Sequence, residues 1–299
     1  MPMKYFENIS DLHQEFNIQL KHPLIDIQRY SDILPMIPME IGPTIFGFYK
    51  ISFIKNFNGY MEYGKTKFNG NNGVLYFVEP GQSYSCTSTE PWEGYQILVH
   101  SDIYKNHLSE KNINTYNFFS YEVNESLLLT EEEENNVSFI LKEAWNEFNN
   151  KRDNFSIPIV LSYISTLLNI SERFYARQFT TRKTMCNQLS SDFFQLLKTY
   201  YTHNEYSGKQ PSLAFFSEKL NVTSNYLSDT IRHHSGKSAL NIIHDYIIKE
   251  AKRLLTTSNQ TVSEISSVLG FEYPNYFSRL FKRKTNLSPS DFRKSVKSI

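Results

Sequence analysis

Two twelve-residue stretches of this chain share one pattern: NYLSDTIRHHSG at 225–236 and NYFSRLFKRKTN at 275–286. Each begins Asn-Tyr, carries Ser at its fourth place and ends in Gly or Asn. Leu227 and Phe277 stand two beyond the Asn, and Ile231 and Phe281 four beyond those. Each pair therefore shares one helical face and buries it. Tyr226 and Tyr276 flank that face, where an apolar ring with a polar tip fits. Gly236 and Asn286 are the residue types that best tolerate a left-handed helix cap. A pattern used twice demands a fold that supplies the same surroundings twice.

The context of each copy supplies them. Ser212 can cap a short helix, LAFFSEKL, and the turn 221–224 leads into the first repeated helix. Thr261 and Glu264 form a capping box for a second short helix, and the turn Gly270-Phe271-Glu272-Tyr273 leads into the second repeated helix. Short helix, tight turn, second helix is a helix-turn-helix unit, here present twice. The outward residues are Asn225, Ser228, Asp229 and Arg232 in one copy and Asn275, Ser278, Arg279 and Lys282 in the other. Such hydrogen-bonding side chains read base edges. We assign base reading to Asn225, Ser228, Asp229, Asn275, Ser278 and Arg279, and phosphate contacts to Arg232, His233, Lys237, Lys282, Arg283 and Lys284. Between the units, Leu240, Ile243, Ile247, Ala251 and Leu254 step at three and four along 238–255. That predicts a spacer helix about 27 Å long, which with the helix widths approaches the roughly 34 Å of one DNA turn.

Charge supports the same division. The 299 residues carry no net charge, yet 181–299 hold 17 Lys+Arg against 9 Asp+Glu, and the rest hold 14 against 22. Opposite-signed halves point to two modules, the basic one facing nucleic acid. No run approaches the roughly 18 apolar residues of a membrane span. The start, MPMKYFENIS, lacks a signal-peptide layout, and Cys86 and Cys186 suggest neither a disulfide framework nor a metal site. A cytoplasmic location is expected, with no cofactor and no membrane partner.

In the acidic half, FGFYKISFI, VLYFVEP and GYQILVH read as strands, separated by turn signals at Asn58-Gly59, 69–73, Pro80-Gly81 and Glu93-Gly94. Short strands so spaced imply a sandwich or small barrel, which can hold a ligand. Tyr49, Tyr60, Tyr76, Tyr84, Trp92 and Tyr95 are the candidate effector-lining residues, with plain core as the competing role. Thr130 to Glu133 is a capping box for a helix with its stripe on Val137, Ile140, Leu141, Ala144, Trp145 and Phe148. A further helix opens after Ser156, with its stripe on Ile157, Val160, Leu161, Ile164, Leu167, Leu168 and Phe174. Two stripes can pack internally or serve a homodimer. The polar, basic run 177–188 has no apolar period and reads as a linker.

The stretch VSEISSVLGFEYPNYFSRLFKRKTNLSPSDFRK resembles the C-terminal signature of the AraC/XylS family of bacterial transcription regulators. Leu269-Gly270-Phe271, Tyr276 to Lys282, and Ser288-Pro289 with Phe292-Arg293 carry the resemblance. The first unit matches through Asn225 to Ser228, Gly236-Lys237-Ser238 and Ala251 to Leu255. The acidic half is similar to that family's cupin-like sensor domain through its strand order, the PGQ at 80–82 and the run GYQILVHSDIY. The resemblance implies two domains. The first, 1–176, is a cupin-like β-barrel with an α-helical dimerisation hairpin, and 177–187 is a linker. The second, 188–299, is an all-α DNA-binding domain of two helix-turn-helix units joined by a long helix. It further implies double-stranded DNA, a small-molecule effector, a second copy of the chain and RNA polymerase as partners. One departure stands out: Asp229 lies where the family is often basic or polar, and a carboxylate there is repelled by phosphate unless it accepts from a cytosine amino group.

Other classes fare worse. A cupin enzyme needs a metal cluster, and His13, His22, His100 and His107 lack the spacing. A DNA-repair methyltransferase needs an activated Cys, and neither Cys86 nor Cys186 has a partner pattern. No phosphate loop and no Gly-x-Ser-x-Gly is present. An architectural DNA binder without an effector stays open on sequence grounds.

Overall fold

The computed structural model describes residues 3–36, 40–55, 59–63, 66–69, 73–88, 91–105, 112–121, 125–150, 153–181, 183–202 and 209–297. Side chains at 40, 59–63, 66–69, 86–88, 181, 183–187, 202 and 297 are outside the description. The chain divides into two compact units, Met1–Thr181 and Arg182–Ile299.

The first unit runs β1 (Lys4–Phe6), α1 (Ile9–Glu15), β2 (Ile25–Arg29), α2 (Tyr30–Ile33), β3 (Glu40–Phe46), β4 (Tyr49–Lys55), β5 (Gly59–Tyr63), β6 (Thr66–Asn69), β7 (Val74–Val78), β8 (Ser83–Ser88), β9 (Glu93–Val99), β10 (Leu127–Leu128), α3 (Glu131–Asn149) and α4 (Ser156–Thr181). The strands form two five-stranded sheets, ordered β1-β3-β8-β5-β6 and β10-β7-β4-β9-β2. No ladder joins the two sheets among the described residues, so the expected closed barrel is corrected to a pair of sheets. Strand and turn spacing specify short antiparallel strands but leave closure to the edges. The Glu93-Gly94 turn signal falls at the start of β9, and the signals at Asn58 and 70–72 lie outside the described residues.

Alternation along β4 explains the two layers. Phe48, Ile54, Val74, Tyr76, Val78, Tyr84, Trp92 and Leu98 belong to one buried cluster. Phe77, on the opposite parity of β7 from Tyr76, meets Phe118 at 4.4 Å and Phe119 at 5.2 Å, and Phe118 stacks on Tyr175 of α4. Thr130 caps α3 in the predicted capping box, accepting from Glu133 N at 3.3 Å while its own N donates to Glu133 at 3.0 Å. The α3 and α4 stripes are occupied inside the chain: α3 packs on α4 and β2, and Val137, Leu141, Ala144, Val160, Ile164 and Leu167 are buried.

The expected linker is helical where it is described: α4 continues to Thr181, and α5 (Lys183–Thr199) opens the second unit. The reason is polar burial. Gln178, only 1% exposed, accepts from Leu128 N at 2.9 Å and donates to Ser126 O at 3.1 Å. Arg177 donates to Glu133 and to Leu128 O. These bonds satisfy β10 and the α3 cap from α4, and an apolar period cannot reveal them.

The second unit continues with α6 (Leu213–Lys219), α7 (Ser224–Ser235), α8 (Ala239–Thr257), α9 (Val262–Val268), α10 (Pro274–Thr285) and α11 (Pro289–Lys297). One core runs through it, from Phe193 and Phe216 through Leu227, Ile231, Ile243 and Ile247 to Ile265, Phe277 and Phe281. The face of α8 that it buries is Ala239, Ile243, Ile247, Ile248, Ala251 and Leu255. Leu240, expected in that stripe, is 51% exposed, and Leu254 is half-buried. Ile243, Ile247 and Ala251 keep the expected face, while Ala239 and Leu255 take the places expected for Leu240 and Leu254; helices of both helix-turn-helix segments, α6 and α7 and then α9 and α10, pack on α8 and widen its apolar stripe.

Candidate nucleic-acid interface

Each helix-turn-helix unit is closed by local polar bonds that the sequence specifies. Ser212 accepts from Phe215 N at 3.1 Å and Thr223 from Tyr226 N at 3.2 Å. Thr261 accepts from Glu264 N at 3.2 Å while its own N donates to the Glu264 carboxylate at 2.7 Å. Pro274 opens α10, where its missing N–H costs nothing. The exits are left-handed, with Gly236 at φ 72° and Asn286 at φ 61°. Leu227, Ile231, Phe277 and Phe281 are fully buried, so the core-facing pair of each copy lies where the repeat places it.

With those faces fixed, Asn225, Arg232 and His233 on α7 are exposed, and Ser228 and Asp229 are half-buried. On α10, Asn275, Arg279, Lys282 and Arg283 are exposed, and Ser278 and Lys284 are half-buried. The two copies diverge in three respects that the repeat does not show. Tyr226 is 8% exposed but Tyr276 is 56% exposed, so only the first flanks the core as expected. Tyr276 meets Tyr273 edge-on at 5.8 Å and lies beneath the Arg279 guanidinium at 4.7 Å. That contact is worth about 0.5–1 kcal/mol at an exposed site.

The second difference is charge pairing. Asp229 accepts from Arg232 at 3.2 Å, so the carboxylate that is out of place beside DNA is compensated within its own helix. Lys237 and Lys284 both donate to Asp245 of α8, at 3.1 and 2.8 Å. Lys284, and then Lys237, hold the Asp245 carboxyl below the usual carboxylate range. Three of the six assigned phosphate contacts are thus already ion-paired, whereas Arg279, Lys282 and Arg283 have no carboxylate partner among the described residues. The third difference lies in the helix ends. Lys282, Arg283 and Lys284 occupy the last turn of α10, where cations suit the helix dipole, while α7 ends in Arg232 and two His.

The aromatic candidates of the first unit do not converge. Tyr76 and Tyr84 stack at 5.7 Å with their hydroxyls 3.0 Å apart, and Trp92 packs edge-on against Tyr30 in the same cluster. Tyr49 instead meets Phe119, Tyr95 is half-buried on β9, and the Tyr60 side chain is outside the description. The same layer carries polar residues that sequence reading passed over. Lys50 is 5% exposed with its ammonium 4.8 Å from the Tyr84 ring, and Gln96 donates to Gln28 at 2.5 Å. The signal was present: Lys50 and Ser52 fall on alternate, inward places of FGFYKISFI.

Comparison with known proteins follows this geometry. Residues 216–295 match a helix-turn-helix domain family. Over 107 residues, 36% of this chain, it is 30% identical to the raffinose operon transcriptional regulatory protein RafR of Pediococcus pentosaceus, covering 38% of that protein. Over 81 residues, 27% of this chain, it is 35% identical to the arabinose operon regulatory protein of Escherichia coli K12, covering 28% of it. A further 107-residue match, 31% identical over 35% of this chain, covers 8% of histidine kinase P4 of Formosa agariphila. The chain thus spans well under half of each of these relatives, which share the module and not one whole-chain activity. The doubled helix-turn-helix geometry and the family match agree: residues 216–295 form a helix-turn-helix domain similar to that of the raffinose and arabinose operon regulatory proteins.

Proposed function

We propose that the chain is a sequence-specific transcription regulator that enters two successive major grooves with α7 and α10, held apart by α8. The supporting observation is the pair of capped helices on one common core, each turning polar side chains to solvent. At 19 residues, α8 is about 28 Å long, matched to adjacent grooves of one duplex face. The base readers are Asn225, Ser228, Asp229, Asn275, Ser278 and Arg279. The first unit, a cupin-like pair of sheets, takes a small effector. The regulator works as a homodimer in the cytoplasm and meets RNA polymerase at its promoters.

Selection from a random duplex library with purified protein, followed by anisotropy titrations, tests this reading. Arg279→Ala should lose about 1–3 kcal/mol on the selected site and relax preference at one base pair. Lys282→Gln should weaken every duplex and lower the salt slope by about 0.9. Equal binding to selected and scrambled duplexes would refute the proposal. A small-molecule panel that never raises the melting temperature of the first unit counts against the effector.

A further inference from the structure

The DNA-binding reading raises a question about the lysines that follow the two reading helices. Lys237 comes directly after Gly236, the residue that ends α7, and Lys284 stands in the last turn of α10. They are far apart in sequence, yet both ammonium groups reach one carboxylate on the spacer helix. Asp245 takes Lys284 on Oδ1 and Lys237 on Oδ2, one cation per oxygen.

We propose that Asp245 is a positioning residue that ties the exit ends of the two reading helices to the spacer and withholds Lys237 and Lys284 from the DNA backbone. This rests on the regulator reading above. The Lys284 arm is the firmer, since that side chain is 23% exposed against 63% for Lys237, and solvent screens it less. It also closes the longer loop, fastening α10 to α8 across 39 residues. One carboxylate offsets one of the two lysine charges, so the pair adds about one unit less to the salt dependence of DNA binding than two unpaired lysines would. A phosphate that drew either ammonium away would have to break its bond to Asp245. The two readers would then lose a shared brace, and the spacing they impose on two half-sites would loosen.

Asp245→Asn keeps the shape and removes the charge. In the full chain, its binding to a random duplex should gain about 0.9 in salt slope, because one carboxylate offsets one of the two lysine charges. Affinity should then fall about three- to four-fold more than for the parent between 50 and 200 mM salt. The preference for the selected site over the same half-sites moved apart by two base pairs should shrink at least several-fold. In the Asp245→Asn background, replacing either Lys237 or Lys284 by Gln should cancel that gain. An unchanged slope or an unchanged spacing preference in Asp245→Asn overturns the proposal, as does a slope gain that persists with both lysines replaced. If Asp245→Asn does not fold, Lys284→Gln in the parent decides the point: it removes the firmer arm of the brace, and an undiminished spacing preference overturns the proposal. A parent chain that shows no preferred duplex overturns the regulator reading itself, a different and recognisable failure.

Discussion

Replacing Gly270 by Ala tests whether the turn between α9 and α10 depends on a close backbone approach or only on backbone handedness. Gly270 has φ +82°, and a Cβ there would lie 2.1 Å from both Gln210 N and Lys209 C. Ordinary contact begins near 3.4 Å, so backbone at 209–210 must retreat by more than 1 Å. Gly236 is the matched control: its φ is +72°, yet nothing lies within 4 Å of an added Cβ. Gly236→Ala therefore meets only the left-handed penalty, about 1–2 kcal/mol. Gly270→Ala adds a displacement cost of about 1–3 kcal/mol, giving about 2–5 kcal/mol. At roughly 4 °C per kcal/mol for a unit of this size, the melting shifts should be about 4–8 °C and 8–20 °C. Assignment of the transition is simple, because both tryptophans, Trp92 and Trp145, lie in the first unit. Helical circular dichroism lost without a change in tryptophan fluorescence belongs to the second unit. Gly236→Asn should shift little, since Asn286 already holds the equivalent place at φ 61°. Equal shifts for the two Ala variants would refute the close-approach reasoning.

The unequal tyrosines predict unequal outcomes. Tyr226→Ala should lower the melting temperature of the second unit, whereas Tyr276→Ala should leave it within about 0.5 kcal/mol and weaken duplex binding by releasing Arg279; the reverse assignment in paired melting and anisotropy experiments would contradict the burial argument. His244 is held below its usual pKa by burial and by Arg283 and Lys284, against the opposing pull of Asp245. Below about pH 6.5 the unfolded chain takes a proton that the folded one resists, so the second unit should lose stability as pH falls, and His244→Gln should flatten that dependence in melts between pH 5 and 7.5.

Much of the second unit was legible because its determinants are local. Capping boxes act over three residues, and left-handed exits advertise themselves as Gly236 and Asn286. The core pairs Leu227/Ile231 and Phe277/Phe281 follow the helical period. What escaped were long-range polar bonds. Gln178 and Arg177 look like linker residues until β10 and Glu133 are brought beside them. Asp245 is one acid among many until Lys284 arrives from 39 residues away. In the first unit, the alternation on β4 was readable, but β1, β2 and α1 before it were not, because β1 pairs with β3 and β2 with β9, far along the chain. Closure into a barrel was likewise undetermined, since a strand's period fixes its faces and not the partner of its edge.

A duplicated unit can keep its fold while changing its use, because the core needs only the inward places of each helix. On the regulator reading, the charges divide the work. Arg279, Lys282 and Arg283 leave α10 with three cations that lack a carboxylate partner among the described residues. On α7 the one arginine is paired to Asp229, and Lys237 beyond it is paired to Asp245. Phosphate affinity, and with it most of the salt dependence, then falls to the second reader. The first reader contributes mainly through hydrogen-bonding groups, whose gain depends on the right base and not on backbone charge. A half-site mutation facing α7 should therefore change selectivity at nearly constant salt slope, while loss of contact by α10 should lower both.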